Sequence, residues 1–120
     1  MDQEVSTFGK TESSFYSSNK MKTPFGNSGA AIKLAEIVEN NPRSRRYVSS
    51  TLSELGAVLR NLFSVKEPST QRYLCRLVQQ QFIERVKTSQ KLSPEETSFL
   101  LNVITTKCRS YKKHFDAKID

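Results

Sequence analysis

The sequence predicts an all-α protein: an up-and-down four-helix bundle with a short first helix, preceded by an extended N-terminal tail. Three observations carry that prediction. Apolar residues recur at three- and four-residue steps through most of residues 28–120, which is the period of one buried helix face. Prolines stand at 42, 68 and 94, each 26 residues after the last, and proline favours the first position of a helix. Residues 1–27 have neither a helical nor an alternating period and hold eight Ser or Thr. The chain therefore divides into a tail over 1–27 and a helical domain over 28–120.

The tail cannot bury enough apolar surface to offset the entropy of ordering it. It nevertheless carries Phe8, Phe15, Tyr16 and Phe25. Disordered segments are ordinarily poor in aromatics, so these four are candidate anchors of a linear segment that docks on a partner protein. The alternative is that Phe25 and one or two others cap the end of the helical core.

The first helix is expected over 28–40. Ala31, Leu34, Ala35 and Val38 form one apolar face, Ser28 is a plausible N-cap, and Asn40-Asn41-Pro42 ends the run. The second is expected over 42–63, with Asn41 as its cap and a seam of Val48, Leu52, Leu55, Leu59 and Leu62. Gly56 interrupts it and invites a close neighbour, for which Phe82 is the candidate.

The third helix is expected over 69–88. Glu67 is a poor cap, which moves the expected start past Pro68 to Ser69 or Thr70. Its apolar residues are Leu74, Leu77, Val78, Phe82, Ile83 and Val86, interrupted by Gln79-Gln80-Gln81. The fourth is expected over 94–115 behind a complete capping box, Ser93-Pro94-Glu95-Glu96. Its seam is expected at Leu101, Ile104, Cys108, Tyr111 and Phe115. Equal helices joined by short turns explain the 26-residue spacing without a duplicated unit, because a single helix is too short for a solenoid repeat.

Charge is unevenly placed. The chain holds 19 basic against 12 acidic residues, net +7. Residues 1–27 contain Lys10, Lys20 and Lys22 against Asp2, Glu4 and Glu12, so all the excess lies on 28–120. A basic domain concentrates anionic partners near its surface, although solubility alone is a sufficient use for a charge of this size.

The cations cluster beside aromatics. Arg43, Arg45 and Arg46 precede Tyr47, Arg72 and Arg76 flank Tyr73, and Lys107, Arg109, Lys112 and Lys113 surround Tyr111 and Phe115. These nine are the candidate anion-binding residues, for an acidic partner surface or for nucleic acid. Cations in a last helical turn complement the dipole and need no partner, whereas the arginines at the start of the second helix oppose it. Alternation of helix direction places the starts of helices two and four at one end. Lys66, Arg72, Arg76, Lys112 and Lys113 then belong to the other.

The sequence offers no catalytic constellation. There is no glycine-rich phosphate loop among its four glycines, and no Cys-x-x-Cys spacing. Cys75 and Cys108 sit in apolar stretches and read as buried thiols. The lone His114 lies six residues after Cys108, on a different helical face, and reads as a solvated side chain at a helix end. Glu95-Glu96 is explained by the helix start. The expectation is no enzyme, no cofactor, no metal and no small-molecule substrate. Recognition-helix, RRM, KH and zinc signatures are absent too.

No apolar run reaches the roughly 18 residues of a membrane span, and the start Met1-Asp2-Gln3-Glu4 lacks a basic n-region. An intracellular chain is expected. The function these features favour is a small basic adaptor or assembly subunit docking on a larger protein complex. The alternative is an accessory protein that binds nucleic acid through phosphates.

Overall fold

The structure is a computed structural model that describes residues 25–117. Among the described residues there are four α-helices and no strand. They are α1 (Gly29–Val38), α2 (Pro42–Asn61), α3 (Pro68–Ser89) and α4 (Pro94–Asp116), with a 3₁₀ turn, Leu62–Ser64, closing α2. All three long helices begin at their prolines, so the 26-residue spacing is the spacing of helix starts.

Local chemistry sets most boundaries. Ser28 caps α1 by accepting from the Ala31 N–H at 3.0 Å, and Asn41 caps α2 through the Ser44 N–H at 3.3 Å. At α4 the Glu96 N–H donates to Ser93 Oγ at 3.1 Å, and Glu96 Oε1 accepts from the Ser93 N–H at 2.9 Å. Both halves of the capping box are thus formed. The start of α3 corrects the expectation. It begins at Pro68 with Glu67 as an N-cap that makes no side-chain hydrogen bond. Proline has no N–H to satisfy and a φ already fit for a helix, so the helix starts there without a good cap.

Gln71 takes over the task of fastening this junction. It is 3% exposed, and its Nε2 donates to the carbonyls of Leu62 at 3.0 Å and Val65 at 2.9 Å. One buried amide therefore holds the turn between α2 and α3.

The helices run up and down, and α4 is the hub. It packs most extensively on α3 and then on α1, and also touches α2. The core holds Ala31, Leu34 and Val38 of α1, and Val48, Leu52, Leu55 and Leu59 of α2 with Leu62 after it. From α3 come Cys75, Val78, Phe82 and Val86, and from α4 Leu100, Val103, Ile104, Cys108 and Phe115. The expected seam of α2 is met in full. That of α4 is shifted: Leu100 and Val103 are buried, while Leu101 and Tyr111 are half-buried. A helix packed on several sides buries a wider arc than one heptad stripe.

Contacts between helix ends fix the alternation. Ser44, at the start of α2, donates from Oγ to Glu96 Oε1 at 3.1 Å at the start of α4. At the far end Arg72 of α3 reaches Asp116 of α4 at 3.5 Å, and the Phe63 ring after α2 lies 5.2 Å from the Phe115 ring. Midway, Arg85 of α3 forms a two-pronged pair with Glu54 of α2, at 2.9 and 3.1 Å. Its guanidinium holds the Glu54 carboxyl below its ordinary pKa, by hydrogen bonding first and charge second.

Both cysteines are buried and unlinked, and Cys75 Sγ donates to the Cys108 carbonyl at 3.5 Å. Burial pushes both thiols up in pKa, that of Cys108 to about 12, so neither supplies a thiolate at neutral pH. A side chain at Gly56 would meet Arg60 Nη1 at 3.2 Å and Lys107 Cε at 3.7 Å. The neighbours there are therefore Arg60 of the same helix and the Lys107 stem of α4, and not the expected Phe82.

Candidate functional site

The alternation brings the start of α2, the end of α3 and the start of α4 to one end of the molecule. There, Arg43, Arg46, Tyr47 and Ser50 of α2 face Gln90 and Lys91, which follow α3. Together they line a half-open cleft of about 640 Å³. That volume lies within the range of about 300–1,000 Å³ usual for small-ligand pockets.

The cleft is cationic by construction. Three of its six lining residues carry positive charge and none carries negative charge. Among the described residues, no carboxylate pairs with Arg43, Arg45, Arg46 or Lys91. The first turn of α2 contains no acidic residue, in contrast to α4, which places Glu95 and Glu96 there. The acidic side chain that contacts the start of α2 is Glu96, which is 5% exposed and held by Ser44 and Ser93. The arginines thus face the positive end of a helix dipole with no surface counter-charge, an arrangement that works against stability.

Tyr47 forms the floor between the charges. Its ring is half-buried, and Lys91 Nζ lies 5.7 Å from the ring centroid, within cation–π range. Gln90 terminates α3 in the left-handed region at φ 57°, a conformation unusual for a residue other than glycine. This turn directs the chain back over the start of α2 and sets Lys91 against Tyr47. Arg43 also leaves a backbone donor free. Pro42 has no N–H, Asn41 takes the Ser44 N–H, and no acceptor among the described residues meets the Arg43 N–H.

The other candidate residues fall elsewhere. Arg45 is exposed at the same helix start but does not line the cleft. Arg72 is partnered by Asp116, so it is not a free cation. Arg76, Arg109, Lys112 and Lys113 are exposed and have no ion pair among the described residues. Tyr73 beside them is 58% exposed. Lys107 is half-buried over Gly56 and lines a smaller recess with Arg60 and Phe25. It belongs to a different face from the cleft.

Phe25 is 7% exposed and is part of the core. Of the two roles open to it, capping the bundle is the one it takes, and it leaves the set of docking anchors. Phe115 is likewise fully buried rather than part of a basic surface. Phe8, Phe15 and Tyr16 lie outside the described residues.

Reasoning from sequence missed Ser50, Gln90 and Lys91. Lys91 is 45 residues from Arg46 along the chain. The alternation that joins the start of α2 to the end of α3 was the one signal capable of pairing them.

Fold and cleft together define a basic helical bundle with an unpaired cationic recess at one end. No protein-family model matches the chain, and no curated protein or solved structure matches it either. Among the described residues no group of His, Cys, Asp or Glu is placed to hold a metal ion, and no helix is long and apolar enough to cross a membrane.

Proposed function

We propose that this protein is a non-catalytic adaptor that docks on an acidic surface of a larger protein complex through the end of the bundle bearing Arg43, Arg45, Arg46 and Lys91. One observation supports it above the others: four cations share that end with no ion pair among the described residues, three of them around one recess. Arginine forks match carboxylate and phosphate oxygens in pairs, and recesses with aromatic floors concentrate binding energy. The tail aromatics Phe8, Phe15 and Tyr16 supply a second, linear contact in this reading.

Nucleic-acid binding is the competing function, favoured by the exposed Arg76, Arg109, Lys112 and Lys113. Affinity capture from the native source, with nuclease added, separates the two. The adaptor reading expects a protein partner that survives nuclease and is lost with Arg43→Glu/Arg45→Glu/Arg46→Glu. Loss of every partner on nuclease treatment overturns it in favour of nucleic acid, whose binding is electrostatic and falls steeply with salt.

A further inference from the structure

We infer that the Arg43–Arg46–Lys91 cleft receives a phosphomonoester dianion borne on a protein segment, a phosphoserine or phosphothreonine side chain. The inference rests on the adaptor reading and narrows it to one chemistry.

Charge matching comes first. Three cations line one recess that has no acidic residue among its described lining residues. A carboxylate brings one negative charge to such a site and leaves most of its field uncompensated. A phosphorylated side chain brings about −1.5 to −2 at neutral pH and three strong acceptor oxygens.

Donor inventory agrees. Arg43 and Arg46 stand three residues apart on α2, so they share one face of the helix. Each presents a planar fork suited to phosphate oxygens. Lys91 comes from a separate element across the recess and adds a point charge with three donors. Ser50 and Gln90 line the same space and add neutral donors.

The shape of the charge argues against a nucleic-acid backbone as occupant. Phosphodiesters carry one charge each and are strung along the strand, so their readers spread cations in a stripe or groove. Here three cations line a single recess at the end of a bundle. The apolar ring of Tyr47 in the floor suits the methylene or methyl of the phosphorylated side chain, and its peptide extends out through the open side.

The test uses the full chain and short fluorescent peptides alike except for one central residue: phosphoserine, glutamate or serine. Anisotropy titrations at about physiological ionic strength keep exposed-surface attraction screened. The phosphoserine peptide is expected to bind about tenfold or more tighter than the glutamate peptide. Arg46→Gln and Lys91→Gln are each expected to remove about tenfold of that affinity, as for loss of a charge-assisted contact. Lys33→Gln, on α1 outside the cleft, is expected to change it less than about twofold. Melting curves of each variant confirm that it is folded.

Equal binding of glutamate and phosphoserine peptides through the same cations overturns the phosphate inference and leaves the adaptor reading standing. Inorganic phosphate binding as tightly as the phosphopeptide overturns the protein-borne source. An oligonucleotide without a terminal phosphate that outcompetes both peptides overturns the inference and the adaptor reading together. Insensitivity of all binding to Arg46→Gln and Lys91→Gln removes the cleft from both.

Discussion

Leu55 and Ile104 are fully buried, one on α2 and one on the hub helix α4. Truncating either to alanine removes methylene groups from a close-packed region and leaves a cavity that relaxes only in part. Leu55→Ala and Ile104→Ala are each expected to cost about 2–5 kcal/mol, read by chemical denaturation. A loss within about 0.5 kcal/mol at both sites, as surface positions give, contradicts the core described here. Both residues were legible in the sequence, Leu55 on an unbroken stripe of aliphatics and Ile104 on the apolar stripe of α4. Gly56 shows where such reading stops. That it needs a close neighbour follows from its lack of a side chain. That Lys107 joins Arg60 as a neighbour depends on how α4 lies across α2, which no local pattern encodes. The cysteines were legible for the opposite reason, since burial alone decides their chemistry and apolar flanks foretold burial.

Helix starts carry their own information at the scale of the element. In α4, the Ser93–Glu96 box satisfies two orphan donors, and the same Glu96 oxygen receives the Ser44 hydroxyl from α2. Ser93→Ala is therefore expected to destabilise the bundle by about 1 kcal/mol in denaturant titration, in the range measured for N-caps. An unchanged midpoint contradicts the role given to the box. The caps at Ser28, Asn41 and Ser93 were legible because capping is chemistry within three residues of sequence. The start of α3 was misplaced by one residue because a poor cap was weighed above a good first-position proline. The seam of α4 was misjudged for a different reason. A single stripe describes a helix with neighbours on one side, and α4 has α1, α2 and α3 around it.

At the scale of the whole molecule, alternation turns local charge into a site. Arg43 and Arg46 read from the sequence as three charges beside a tyrosine with Arg45. Only the return of α3 through the left-handed Gln90 adds Lys91 and makes a recess of them. Half of that site was legible, since the arginines stood out by opposing the dipole of their own helix. The other half required the tertiary fold. The proposal that these arginines serve binding at the expense of stability has a direct measurement. Thermal unfolding of the full chain at low ionic strength is compared with that of Arg43→Gln/Arg45→Gln/Arg46→Gln, each with and without an excess of glutamate peptide. Removing three like charges from the positive end of α2 is expected to stabilise the free protein by about 1 kcal/mol. The upward shift that the peptide gives the wild-type chain is expected to disappear in the variant. A variant that melts lower than wild type, while still shifting upward with the peptide, contradicts the account: the arginines would then hold the fold and leave the ligand to another surface.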